Sequence, residues 1–94
     1  MLNGKLTPLP GGAVTPVDQH VGRRIRGKRR ALGLSEENLA IELGVAAVRI
    51  AAYERAEERV PSDHLIRLSE ILDVSVIYFF PANLSQPRDL LASA

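Results

Sequence analysis

The stretch Leu34-Ser35-Glu36-Glu37-Asn38-Leu39-Ala40-Ile41-Glu42-Leu43-Gly44-Val45-Ala46-Ala47-Val48-Arg49-Ile50-Ala51-Ala52-Tyr53-Glu54-Arg55 decides how the chain folds. Leu39, Ala40, Leu43, Val45, Ile50 and Tyr53 recur with helical periodicity and make one buried seam. Gly44 breaks the pattern where a tight corner is needed, because glycine takes the left-handed backbone conformation that a side chain resists. Two short helices around a turn follow. Ser35 caps the first, and Glu36 and Glu37 stand where acids favour the positive end of a helix dipole. The second is expected from about Ala46 to Arg55, with Ala46, Ile50 and Tyr53 turned inward. Val48, Ala51, Ala52 and Arg55 share its outer side, with Ala47 and Arg49 on the flanks. Ala46 is a weak cap, costing about 1 kcal/mol relative to Ser or Thr.

Upstream, Thr15-Pro16 with Asp18 marks a helix start, since Thr supplies a capping hydroxyl and Pro loses nothing at the first helical position. Val17, Val21, Ile25 and Leu32 form the expected inward face of this helix, which runs to about Leu32 and stops at Gly33. Downstream, the polar loop from Ala56 to Pro61 leads to a helix opened by Ser62 and Asp63. Leu65, Ile66, Leu68, Ile71 and Leu72 make it broadly apolar, and Asp73-Val74 ends it. Ser75 then caps a short fifth helix, Val76-Ile77-Tyr78-Phe79-Phe80, closed by Pro81. So many aromatics on one short helix exceed what a small domain buries, which assigns part of Ile77, Tyr78, Phe79 and Phe80 to a subunit contact. Residues 1–14 are rich in Gly and Pro and read as a flexible arm. Residues 82–94 read as a loose tail in which Leu90 and Leu91 dock as a short turn. The domain between them is 15–81.

At 94 residues the chain has room for one domain. A core of roughly 65 residues buries only about 60% of the surface that its unfolded form exposes, which makes dimerisation a natural source of further stability. Without cysteine there is no disulfide, thiolate metal site or cysteine nucleophile. His20 and His64 lie far apart in sequence and lack the spacing of a metal site. Neither a phosphate-cradling glycine pattern nor a nucleophile elbow occurs, so enzyme chemistry and a cofactor are not expected. The longest apolar run, Val76 to Phe80, is too short to span a bilayer, and a soluble, cytoplasmic protein is expected. Net charge is only +1, yet Arg23, Arg24, Arg26, Lys28, Arg29 and Arg30 concentrate half of the twelve basic residues in eight positions. Such a cluster suits a phosphate-contacting edge.

The helix order, together with Gly22-Arg23-Arg24-Ile25-Arg26, Gly33-Leu34-Ser35, Leu39-Ala40, Leu43-Gly44-Val45, Ile50, Tyr53-Glu54-Arg55, Leu72-Asp73-Val74-Ser75 and Tyr78-Phe79, resembles the phage-repressor helix-turn-helix family, the Cro-like or XRE class. The resemblance covers about Val21 to Phe80. It implies an all-α, five-helix helix-turn-helix domain that binds double-stranded operator DNA as a two-fold homodimer, with its third helix in the major groove. It also implies a structural ion pair between Arg29 and Glu54. Base contacts fall on Ala47, Val48, Arg49 and Ala52, and phosphate contacts on Arg23, Arg24, Glu36, Arg55 and Arg59.

Two departures stand out. A carboxylate at Glu36 replaces the amide that many members carry, and Ala47, Val48 and Ala52 offer no hydrogen bond to a base edge. Their direct readout is apolar contact with thymine methyls, and Arg49 is the one long donor left in the helix. The expected function is a sequence-specific transcriptional regulator, read first as a repressor. Two alternatives involve a protein partner. The apolar outer face of the third helix could dock a partner protein, or the acidic start of the second helix could touch RNA polymerase or another regulator, as in an activator.

Overall fold

The computed structural model describes residues 14–82. The expected arm and tail, with Leu90 and Leu91, lie almost wholly outside the described residues. Among the described residues the chain is helical, with no strand: α1 (Pro16–Ala31), α2 (Glu36–Leu43), α3 (Ala47–Glu54), α4 (Ser62–Leu72) and a 3-10 helix (Val76–Phe79).

Local chemistry accounts for each boundary. At the start of α1 the Asp18 amide donates to the Thr15 hydroxyl at 3.3 Å and the Thr15 amide donates to Asp18 Oδ2 at 2.7 Å. Two otherwise unpaired donors are satisfied reciprocally. Ser35 and Asn38 repeat this device on α2, at 2.9 and 3.1 Å. Helix α1 closes when the amides of Gly33 and Leu34 return to the carbonyls of Arg30 and Arg29, with Gly33 at φ +75°. Gly44 closes α2 at φ +84°.

Val21, Ile25, Leu39, Ala40, Ile50, Leu65, Leu68, Leu72 and Phe79 form one buried cluster at the centre of the domain. Four expectations change. Leu32 is 47% exposed rather than inward, because it caps α1 and the chain turns away there; Leu34 packs beside the core instead. Ile66 lies one position off the stripe of Leu65, Leu68 and Leu72 and is exposed. Ala46 is exposed because it precedes α3 in extended conformation, so the helical wheel does not apply to it.

The fifth helix, finally, is a four-residue 3-10 turn. Its hydrogen bonds run from Tyr78 N to Ser75 O and from Phe80 N to Ile77 O. Phe80 precedes Pro81 and is extended, at φ −104° and ψ 153°, as the proline ring demands, so the segment is too short for an α-helical ladder. Phe79 is fully buried in the domain's own core, which removes it from the expected subunit contact. Tyr78 and Phe80 are half-buried against the same core. Ile77 alone of the four is exposed.

Candidate nucleic-acid interface

Three contacts fix α3 against the rest of the domain. Ile50 and Tyr53 enter the core. On the same side, Gly22 of α1 lies under the end of α3: a Cβ there would stand 2.6 Å from the carbonyl oxygens of Tyr53 and Glu54. Only a hydrogen permits that approach. Beside it, Arg29 Nε and Nη2 donate to Glu54 Oε2 and Oε1 at 2.6 and 3.0 Å, and Nη1 donates to the Leu34 carbonyl at 2.7 Å. The pair is deeply buried, with side chains 10% and 2% exposed. Hydrogen bonding to Glu54 raises the Arg29 pKa above its ordinary value, against the opposing pull of burial. The expected ion pair therefore ties three segments together: α1, the start of α2 and the end of α3.

On the opposite side of α3, Val48 is 75% exposed. Arg49 and Arg55 are also exposed and Ala51 and Ala52 are half-buried, whereas Ala47, an expected base contact, is half-buried against the hydrophobic core. Arg49 Nη1 lies 3.4 Å from Glu58 Oε2. At the back of the helix the Tyr53 hydroxyl and His64 Nδ1 are 2.7 Å apart, joining α3 to α4. Burial raises the Tyr53 pKa, and the nearby Arg49 opposes that rise.

The candidate phosphate residues do not form one group. Arg55 and Glu36 line an open recess of about 120 Å³ together with Arg26, Arg29, Arg30 and Glu54. With Glu54 neutralised by Arg29, the arginines Arg26, Arg30 and Arg55 set the recess's sign, and Glu36 sits among them. Arg24 points elsewhere: its guanidinium lies 4.6 Å from the Tyr78 ring centroid, and its Nε donates to His20 Nε2 at 3.4 Å. The stacking couples α1 to the 3-10 turn. Arg59 Nε contacts Asp18 Oδ2 at 3.2 Å, so the loop after α3 is tied back to α1. Arg23 is exposed on α1.

A helix-turn-helix family model matches residues 25–79, more than half of the 94-residue chain. The chain belongs to the phage-repressor-like helix-turn-helix family. A transcriptional regulator of this type from Sinorhizobium medicae, itself uncharacterized, is 45% identical over 65 residues, covering 69% of this chain and 47% of that protein. This helix-turn-helix chain spans about half the length of the curated relatives it matches first. Among solved structures, the P22 c2 repressor in complex with a synthetic operator is 33% identical, with a TM-score of 0.61, over 64% of this chain and 91% of that one. The restriction-modification controller protein C.AhdI from Aeromonas hydrophila is 30% identical, with a TM-score of 0.64, over 67% and 96%.

Three residues matter here to which the sequence alone assigns no role. Gly22 carries a weak signal, since a glycine inside a helix costs about 1 kcal/mol, but Gly27 in the same helix carries it too and only the fold separates them. Arg26 and Arg30 belong to the basic cluster, but only the fold shows that they, unlike Arg24, face the end of α3.

Proposed function

We propose that this chain is a sequence-specific DNA-binding transcriptional regulator that reads a two-fold operator as a homodimer, with α3 in the major groove. The observation that carries this reading is the outward face of α3. Val48 projects from a helix whose inner side is locked by Ile50, Tyr53 and Glu54, and arginines Arg26, Arg30 and Arg55 flank the helix's end. A protruding Val over low alanines suits thymine methyls, and the arginines suit phosphate oxygens. The similar P22 c2 repressor is solved in complex with a synthetic operator, which supports DNA as the partner. Ile77, 54% exposed, and Ile66 on α4 are exposed apolar residues available for a dimer contact once Phe79 is assigned to the core.

Selection from a pool of randomised duplexes tests the proposal. The expected product is a two-fold site whose affinity falls steeply with salt and drops on Val48→Ser, while binding that is independent of sequence counts against it. Repression is the first reading of the outcome, because occupancy of a promoter suffices for it. A second reading has its own observation: on α2, Ile41 is 75% exposed next to the acidic first turn, which suits contact with RNA polymerase or another regulator. Under that reading Glu37→Lys abolishes activation while operator occupancy persists.

A further inference from the structure

Arg49, on the flank of α3, is the one long hydrogen-bond donor within that helix, and its ion-pair partner comes from the loop behind the helix. That loop is anchored on both sides of Glu58. On one side, Ala56 is buried in the left-handed conformation at φ +58°, and the amides of Ala56 and Glu57 return to the carbonyls of Tyr53 and Ala52 at 3.2 and 2.8 Å. On the other side, Arg59 reaches Asp18 of α1 at 3.2 Å. Glu58 is therefore held in place between two fixed points. Its carboxylate approaches Arg49 at the Nη1 corner, 3.4 Å away, on the side of the helix where the guanidinium also interacts with the Tyr53 hydroxyl. The Nε–Nη2 edge is one of the guanidinium's two pairs of parallel donors that fit guanine O6 and N7, and it is not the edge the carboxylate takes.

We propose that Glu58 is a positioning residue for base reading: it holds the Arg49 guanidinium by its Nη1 corner so that the Nε–Nη2 edge meets a guanine in the groove. The proposal rests on the DNA-binding reading above. An arginine free to sample its rotamers loses that freedom when it engages a base, and Glu58 orders it in advance. Simple charge predicts the opposite role. A carboxylate close to DNA is repelled by phosphates, so removing an idle one strengthens binding to every duplex alike.

The two roles differ in sign, which makes the test direct. A duplex selected by the wild-type chain from a randomised pool and a scrambled duplex of the same composition are titrated with wild type, Glu58→Gln, Glu58→Ala, Arg49→Ala and the Arg49→Ala/Glu58→Gln double variant. Circular dichroism confirms that each variant is folded. Both Glu58 variants are expected to bind the scrambled duplex slightly more tightly and the selected duplex less tightly, lowering the ratio of affinities about five- to tenfold. Repeating the selection with Glu58→Gln is expected to lose one guanine preference per half-site. In the Arg49→Ala background, Glu58→Gln is expected to raise both affinities equally. Equal strengthening of both duplexes with Arg49 present, or a specificity loss that persists without Arg49, overturns the proposal. A selected site that contains no Arg49-dependent guanine overturns it while leaving DNA binding intact. Absence of any enrichment by the wild type overturns the DNA reading and this inference together.

Discussion

Arg29 shows how much of the domain depends on a single side chain. Its guanidinium reaches Glu54 twice and the Leu34 carbonyl once, from a position with little access to water. Charge placed there is expensive to leave alone, so Glu54→Ala is expected to cost about 3–5 kcal/mol. That is a large fraction of a small domain's stability and should appear in denaturant unfolding as near-complete loss of the folded state. The double change Arg29→Met/Glu54→Leu removes both charges and is expected to recover most of the loss, which separates the cost of an orphaned charge from the worth of the pair. His20 is the counterpart at the surface. Partial burial, then the charges of Arg24 and Arg23, hold its pKa below the ordinary 6.5. The folded chain thus binds a proton less readily than the unfolded one. Stability contributed by neutral His20 is therefore present above the unfolded value near 6.5 and declines as pH falls through it, levelling off below the lowered folded value. Thermal melts between about pH 5 and 8 should show this acid-side decline in the wild type and a weaker one in His20→Gln.

At the scale of elements, the position of α3 is set by how closely α1 can approach it. Gly22→Ala gains helix propensity but drives a methyl into two backbone carbonyls that cannot move aside singly. A net loss of about 1–3 kcal/mol is expected, with weaker DNA binding because the end of α3 is displaced. Gly27→Ala on the same helix is the control. A Cβ at that position would meet no atom within 4 Å, so the substitution is expected to stabilise by about 0.5–1 kcal/mol. Chemical denaturation of both variants checks the opposite signs. This contrast also shows what is legible in sequence. Caps at Thr15 and Ser35 and the corner at Gly44 depend on neighbours a few positions away, and the Leu39–Ile50–Tyr53 seam follows from helical periodicity, so all can be read directly. The Arg29–Glu54 pair is visible only through the family resemblance, because its partners are 25 positions apart. Leu32, Ile66 and Phe79 defeat periodicity, which reports a face without saying what covers it. The apparent excess of aromatics at the last turn vanishes once Phe79 enters the core and Arg24 covers Tyr78. The same blindness applies to Arg24 and Arg26, close neighbours in sequence that the fold sends to different surroundings.

For the molecule as a whole, charge placement outweighs charge total. A net charge of +1 gives no strong long-range attraction to DNA, so affinity must come from a few arginines at the right places. The recess around Arg26, Arg30 and Arg55 concentrates them beside the end of α3, whereas Arg24 is committed to Tyr78. Arg55→Ala is accordingly expected to weaken binding by a similar factor on all duplexes and to reduce the slope of log affinity against log salt by about one. Arg24→Ala is expected to leave that slope unchanged and to lower the unfolding midpoint instead, through loss of the stacking that couples α1 to the last turn. Glu36 tests the same logic from the other side. Its carboxylate shares the recess and offsets part of its charge, so Glu36→Gln is expected to tighten binding several-fold at low salt, with the advantage shrinking as salt rises. Titrations of the three variants at two salt concentrations measure all of these effects. Equal salt slopes for Arg55→Ala and Arg24→Ala would place the phosphate track along the outer length of α1 rather than at the junction of α1, α2 and α3.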